Sequence, residues 1–262
     1  MDILLIGGLW LDGSAWDSVA AELEALGHRV VPVTLPGQGD GNASATLADQ
    51  VATVLAAVDA AAGHPLVAGH SAACSLAWLA ADARPDKVGK VALIGGFPGS
   101  GGTRYADFFP VQDGAMAFPG WGPFEGPDSA DLDDVAKRAF ESAAIPVPEG
   151  VAHGVIQYAD ERRHDIPVVL VCPEFTPAQA KEWIDGGQVT ELAKSGNLSY
   201  VDIDSGHWPM FTAPAELARL LSRVARLAPQ GRGYPHREAS YLRCTVRLLR
   251  PRGFERRSPD AF

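Results

Sequence analysis

The sequence lacks the long apolar runs that a membrane span or a secretory leader requires. No stretch of the 262 residues approaches the roughly 20 consecutive apolar residues of a spanning helix. The first apolar run, residues 3–6, is too short for a leader, and Asp2 stands where a basic flank is expected. We therefore expect a cytoplasmic protein that does not contact a membrane.

Cysteine and positive charge are also scarce. Cys74, Cys172 and Cys244 are an odd and scattered set, without the spacing of a metal site or a disulfide framework. We accordingly expect no metal and no organic cofactor. The formal net charge of −10 argues against broad binding of nucleic acid and against docking on an anionic membrane. A small-molecule substrate is the expected partner.

The charge is unevenly distributed along the chain. Residues 228–262 contain eight arginines and three acidic residues, with neither helical nor strand periodicity. This Arg-rich tail is predicted to be disordered, because it has no periodic apolar face to bury against a core.

Short β-rich runs alternate with Ala-rich helical stretches through the rest of the chain. Strands are predicted at residues 3–6, 29–33, 66–68, 88–94, 167–171 and 200–203, and helices at residues 14–26, 44–62, 71–82, 177–194 and 214–227. Such alternation predicts an α/β fold with a mostly parallel central sheet and flanking helices.

One interval, residues 97–165, interrupts this alternation. It is rich in Gly, Pro and aromatic residues and is too long for an ordinary loop, so we predict an inserted lid with one helix at residues 132–144. Residues 1–96 and 166–227 would then form the core domain. The aromatic side chains of the lid either form its own small core or line an apolar substrate pocket. The candidate pocket residues are Trp10, Phe97, Phe108, Phe109, Trp121 and Trp208.

The strongest local signal is a serine between an apolar strand and a helix. Ser71 has small residues two positions before and two after it, Gly69 and Ala73. A nucleophile on a sharp strand-to-helix turn needs such neighbours, because strand and helix cross closely there. The alternative is that Ser71 only caps the helix, since serine is common at that position.

A histidine and a pair of glycines stand at two other strand ends. His207 follows the strand at 200–203, where a parallel sheet presents side chains at its active-site edge, although lone histidines are more often structural. Gly7 and Gly8 follow the first strand, where free backbone N–H groups could face a developing oxyanion. The alternative there is a tight turn, and the spacing does not match a phosphate or dinucleotide loop.

The glycine pair, the serine turn and the histidine, in this order along the chain, resemble the lidded, esterase-like branch of the α/β-hydrolase superfamily over about residues 1–227. The stretch at residues 35–39 and Trp16 match further features of that family. The resemblance implies that Ser71 is the nucleophile and His207 the general base, and that the Leu9 and Ala72 N–H groups form the oxyanion hole. The sequence departs from the family at Gly7, where histidine is common.

The resemblance also implies an acid at the end of the strand at 167–171. The usual aspartate would stand at Phe175, so Glu174 is our candidate for the third catalytic residue. Asp202 and Asp204 are alternatives, and Glu174 could instead be a surface charge or a helix cap.

Together these residues predict a serine hydrolase that cleaves an ester or lactone of a small to medium apolar substrate through an acyl-enzyme. A non-catalytic small-molecule receptor on the same fold is the alternative from another class. A hydroxynitrile lyase is a rival within the family, but that activity needs a polar residue at Leu9 and a lysine at Trp208.

Overall fold

Six parallel strands form the central sheet of the computed structural model, which describes residues 1–227. The strands in chain order are β1 (Asp2–Ile6), β2 (Arg29–Val33), β3 (Leu66–His70), β4 (Lys90–Ile94), β5 (Ala115–Met116), β6 (Val147–Pro148), β7 (Val168–Cys172) and β8 (Leu198–Asp202). The sheet order is β2-β1-β3-β4-β7-β8, whereas β5 and β6 form a separate antiparallel pair. Strands β1, β3, β4 and β7 are buried along their whole length, as expected for a sheet covered on both faces.

Helices cover this sheet. They are α1 (Asp17–Ala25), α2 (Leu47–Ala60), α3 (Ala73–Ala83), α4 (Asp134–Ala143), α5 (Glu149–Ala152), α6 (Pro177–Asp185), α7 (Thr190–Ala193), α8 (Pro209–Thr212) and α9 (Pro214–Arg226). Helix α1 packs against α9, and α2 packs against α3. Thr46 and Thr176 begin α2 and α6 with capping boxes, which satisfy backbone N–H groups at the helix starts. The predicted α/β fold with a mostly parallel sheet is confirmed.

The predicted helix at residues 177–194 is wrong in its middle. Helix α6 ends at Asp185, and the chain turns through Gly186 and Gly187 before α7 begins at Thr190. Gly187 has a φ of +78°, a backbone conformation that favours glycine and ends a helix.

Residues 97–165 connect β4 to β7 and contribute no strand to the central sheet. This insertion contains the β5-β6 pair and helices α4 and α5, and α4 lies within the predicted helix at 132–144. Near its two ends, the Tyr158 hydroxyl donates a hydrogen bond of 2.8 Å to the Gly99 carbonyl. That the insertion acts as a lid stays a prediction.

A buried ionic cluster fixes the end of the insertion. The Arg163 guanidinium lies 3.2 Å from Asp82 of α3 and 3.0 Å from Glu191 of α7, and it stacks over the Tyr158 ring. Arg163, Asp82 and Glu191 are all buried. Removing one partner would leave a buried charge uncompensated, so the cluster holds these three elements together.

The described residues hold no helix long and apolar enough to cross a membrane, and no cluster of three or more potential metal ligands. Cys74 and Cys172 are buried free thiols, and burial raises the pKa of each. The Arg-rich tail and Cys244 lie outside the described residues.

Candidate active site

Ser71 occupies a strained turn between β3 and α3. Its φ is +54°, unusual for a residue other than glycine, and its N–H donates to the Ile94 carbonyl at 2.8 Å. A Cβ on Gly69 would lie 2.2 Å from the Ala73 carbonyl oxygen, so a larger residue at position 69 would clash. The interpretation of Ser71 as a helix cap is wrong, because the N-cap position of α3 is Ala72 and no side chain caps it. The turn therefore holds the Ser71 side chain in place by strain and close packing.

His207 and Glu174 meet at the carboxyl edge of the sheet. The Nδ1 atom of His207 lies 2.8 Å from Oε1 of Glu174, and both side chains are 3% exposed. Glu174 reaches the ring from one residue before the expected position, while Phe175 turns away and stacks on Phe97. The second oxygen, Oε2, is buried without a hydrogen-bond partner in the described part of the chain.

Two opposing effects set the protonation of His207. Burial lowers the pKa of the ring, but the charge and hydrogen bond of Glu174 and the charge of Asp128 outweigh it. The pKa of His207 is therefore raised above its ordinary value. A carboxylate on Nδ1 also fixes the tautomer in which Nε2 is unprotonated and can accept a proton.

The insertion holds the loop that carries His207. The His207 N–H donates to the Asp128 carbonyl at 2.7 Å, and the Gly206 N–H donates to Oδ2 of Asp131 at 2.7 Å. A Cβ on Gly206 would lie 2.3 Å from Asp131, so this contact requires glycine. From the other side, Nε2 of His70 donates to the His207 carbonyl at 2.7 Å. Burial lowers the pKa of His70 well below its ordinary value, so this ring is neutral near pH 7.

The turn after β1 brings Leu9 next to the nucleophile. A Cβ on Gly8 would lie 3.0 Å from the Cβ of Ser71, so glycine permits this close approach. Trp10, the residue after Leu9, has a φ of +66° and donates from Nε1 to the Met116 carbonyl. Within residues 1–227, the N–H groups of Leu9 and Ala72 donate no hydrogen bond, so both are free to bind an oxyanion.

Two buried glutamines hold this turn, and sequence reasoning missed them. Nε2 of Gln38 donates to the Gly8 carbonyl at 2.9 Å and to the Leu11 carbonyl at 2.8 Å. Gln50 in turn donates to Oε1 of Gln38 at 3.0 Å. The Gly8 carbonyl and the Leu9 N–H belong to one planar peptide group, so Gln38 fixes the direction of that N–H. A lone glutamine in a loop shows no pattern that could reveal this contact.

Ser71 lines two cavities of different size. The smaller, of about 20 Å³, is also lined by His207 and by aromatic residues that include Trp10, Phe108, Phe109 and Trp208. The larger, of about 390 Å³, is lined by Ala72, Phe97, Phe108 and several polar residues.

Five of the six predicted pocket residues thus line one of these cavities, but Trp121 lines neither. Its ring packs edge-on against Trp208 at 5.3 Å and against Phe118 at 5.2 Å. Trp121 belongs to an aromatic cluster that joins the insertion to the His207 loop and to Trp10. The members of this cluster are Trp10, Phe109, Phe118, Trp121, Phe124, Phe140 and Trp208.

α/β-Hydrolases have this arrangement: a parallel sheet, a serine on a strained strand-to-helix turn, and a histidine paired to a carboxylate at the same edge of the sheet. Residues 3–220 match the model of the alpha/beta hydrolase family. The chain therefore belongs to this family and is a hydrolase.

Similar proteins include plant and bacterial members of the family. Methylesterase 7 of Arabidopsis thaliana is 24% identical in an alignment of 254 residues. The match covers 85% of this chain and 95% of the relative. An extracellular alpha/beta-hydrolase from a Paenibacillus species, described as sharing structural and functional homology with tobacco salicylic acid binding protein 2, has a TM-score of 0.70. It is 21% identical, and the match covers 86% of this chain and 99% of that one.

A pyrethroid hydrolase from Sphingobium faniae JZ-2 has a TM-score of 0.61 and 22% identity, with coverage of 86% and 97%. At such identities the solved structures establish the fold alone.

Proposed function

We propose that the protein is a serine esterase with Ser71 as nucleophile, His207 as general base and Glu174 as the acid that orients it. The observation that carries this proposal is the 2.8 Å contact between Nδ1 of His207 and Oε1 of Glu174, beside a cavity that Ser71 and His207 both line. The name of the Arabidopsis relative, a methylesterase, also supports ester cleavage.

In the first half of the reaction, Oγ of Ser71 forms a bond to the ester carbonyl carbon while Nε2 of His207 takes its proton. The carbonyl oxygen becomes an oxyanion, which the Leu9 and Ala72 N–H groups stabilise. The bond to the alcohol oxygen then breaks, and the alcohol leaves with the proton from His207.

In the second half, His207 takes a proton from water, and the resulting hydroxide adds to the acyl carbon. The bond to Oγ then breaks, and Ser71 recovers its proton from His207. The products are one acid and one alcohol for each ester and water consumed, and no step requires a redox partner.

A fluorophosphonate probe tests the assignment of the nucleophile. We expect stoichiometric labelling of Ser71 in the intact protein and no labelling of Ser71→Ala, which should lose at least about 10³-fold in ester turnover. Peptide mapping by mass spectrometry identifies the labelled residue. An unlabelled wild-type protein would instead favour a non-catalytic receptor, and near-normal turnover by Ser71→Ala would refute the nucleophile.

A further inference from the structure

The two cavities at Ser71 differ in their lining residues, and this bears on how an ester binds. His207 lines only the smaller cavity, whereas the two oxyanion residues of the proposed mechanism are divided, with Leu9 lining the smaller cavity and Ala72 the larger one. An ester presents its alcohol oxygen to the general acid, because that oxygen must receive a proton as the bond breaks. The leaving alcohol therefore belongs on the side of His207, and the acyl chain belongs in the larger cavity.

The smaller cavity limits the size of the alcohol. Its volume of about 20 Å³ accommodates about one water-sized group. Leu9, Trp10 and Trp208 form part of its wall and are each at least nine-tenths buried within the aromatic cluster and the sheet edge. A methyl group fits this space, whereas a longer alkyl chain would have to extend out of the cavity and would lose contact with its aromatic wall.

The larger cavity is lined by a buried tyrosine. Tyr105 lines this cavity and is 3% exposed, yet its hydroxyl bonds to no other residue within the described range. Tyr158, a half-buried tyrosine, differs in donating to the Gly99 carbonyl. A hydroxyl that lines an open cavity and has no protein partner is available to donate to a ligand that supplies an acceptor. Burial also raises the pKa of Tyr105, which keeps the hydroxyl protonated as a donor.

The charged groups at the same cavity neutralise one another. Arg104 and Asp107 line it and form an ion pair at 3.2 Å, with both side chains at least half exposed. Apart from Ser71, the other hydroxyls there are already paired: Ser75 with the Gly99 N–H, Ser100 with Thr190, and Thr103 with the Ser100 carbonyl. A neutral acyl group with a hydrogen-bond acceptor therefore suits the cavity better than an anionic one.

We propose, on the basis of the esterase function above, that the substrate is a small-alcohol ester whose acyl chain carries a neutral hydrogen-bond acceptor, bound by the Tyr105 hydroxyl. Tyr105 is then a specificity-determining residue of the acyl site. This substrate differs from the wholly apolar one that the aromatic residues of the insertion alone predict.

Two isomeric esters test which cavity holds which part of the substrate. Methyl hexanoate and pentyl acetate have the same atoms, but the long chain lies on the acyl side in the first and on the alcohol side in the second. We expect kcat/KM to be at least about 10-fold higher for methyl hexanoate, since a pentyl group exceeds the smaller cavity. Equal rates, or a preference for pentyl acetate, would overturn the assignment of the cavities.

Oxo-substituted esters test the role of Tyr105. Wild-type kcat/KM is compared for methyl hexanoate, methyl 4-oxohexanoate and methyl 5-oxohexanoate, whose ketones are too far from the ester to activate it strongly. We expect at least one oxo ester to be preferred by about 3- to 10-fold, the worth of one neutral hydrogen bond. Tyr105→Phe should abolish this preference, so that the variant turns over the oxo esters and methyl hexanoate with similar kcat/KM.

Tyr158→Phe is the matched control, because it also removes one tyrosine hydroxyl and leaves the ring in place. It should lower the melting temperature but keep the preference for the oxo ester. If wild type shows no preference, or if Tyr105→Phe retains it, Tyr105 does not recognise the acyl chain. Fluorophosphonate labelling separates these results from failure of the esterase itself, since a labelled enzyme with the wrong preferences refutes only the substrate assignment.

Discussion

Replacing Gln38 by methionine is the sharpest test of how the turn at residues 7–9 is held, the oxyanion turn of the proposed mechanism. Methionine has a similar length and volume, but it lacks the amide that donates to the Gly8 and Leu11 carbonyls. Gln38 is 1% exposed, so water cannot easily replace the lost donors. The peptide group that carries the Leu9 N–H would then be free to rotate away from the reacting oxygen.

The size of the effect follows from the bonds that are lost. The loss of two hydrogen bonds to carbonyls, of which Gly8 keeps only a long bond of 3.4 Å from the Leu11 N–H, should lower the free energy of unfolding by about 2–4 kcal/mol. For a chain of this size that corresponds to a loss of roughly 4–16 °C in melting temperature. Removing an oxyanion donor entirely costs about 10²–10³-fold in kcat, so a donor that is present but misdirected should cost about 10- to 100-fold. KM should stay within about twofold, because the developing oxyanion exists only in the transition state.

The assay measures kcat and KM for methyl hexanoate at 25 °C, with circular dichroism to verify that each variant is folded. A trifluoromethyl ketone that adds to Ser71 should lose affinity by about the same factor as kcat, because its adduct also carries an oxyanion. Gln50→Met is the matched control: Gln50 donates to Gln38 and to the Pro36 carbonyl but not to the turn itself. It should destabilise the fold with a loss in kcat below about threefold. Equal losses of kcat in the two variants would refute a positioning role for Gln38.

Three further changes address the histidine. Glu174→Gln should lower kcat by about 10²–10⁴-fold. It should also move the acidic limb of the kcat/KM profile to lower pH, because Glu174 raises the pKa of His207 and burial alone lowers it. An unmoved limb would argue against an interaction between Glu174 and His207. Gly95 has a φ of +59°, a backbone conformation that is strained for alanine, and an added Cβ would lie 3.4 Å from both Glu174 and the His207 ring. Gly95→Ala should therefore lower the free energy of unfolding by about 1–2 kcal/mol and also lower kcat. An unchanged melting temperature would show that alanine causes no backbone strain at this position. Asp131→Asn retains an acceptor for the Gly206 N–H, whereas Asp131→Ala does not. The kcat should therefore fall about 10-fold in the alanine variant alone. Equal turnover by the two variants would show that this hydrogen bond does not position the His207 ring.

The parts of the site that follow a strand could be predicted, because the end of an apolar run in the sequence indicates where a strand ends. The strand at residues 29–33 has the predicted bounds, and Ser71, Glu174 and His207 all lie at the carboxyl edge of the sheet. Catalytic roles for these three residues stay predictions, as does the oxyanion role of Leu9.

The contacts that were missed join residues far apart in sequence and lie in irregular segments. Gln38 and Asp131 touch the oxyanion turn and the histidine loop across 30 and 75 residues respectively, and neither belongs to a periodic element. Trp121 was placed in the pocket on residue type alone, but only packing decides whether an aromatic ring faces a cavity or other rings. That the Tyr105 hydroxyl has no partner within residues 1–227 can likewise be recognised only when the positions of all possible partners are known.

The hydrogen bond from the His207 N–H to the Asp128 carbonyl has a consequence for engineering the enzyme. Recombination or randomisation of residues 97–165 would seem a natural way to change substrate range, since this segment adds no strand to the sheet. Yet a library that replaces the whole segment also removes the contacts that hold His207, the proposed general base. We expect most inactive members to have lost those contacts rather than the ability to bind substrate. Libraries that vary the residues around Tyr105 while keeping positions 126–132 should therefore contain a larger active fraction at the same mutational load.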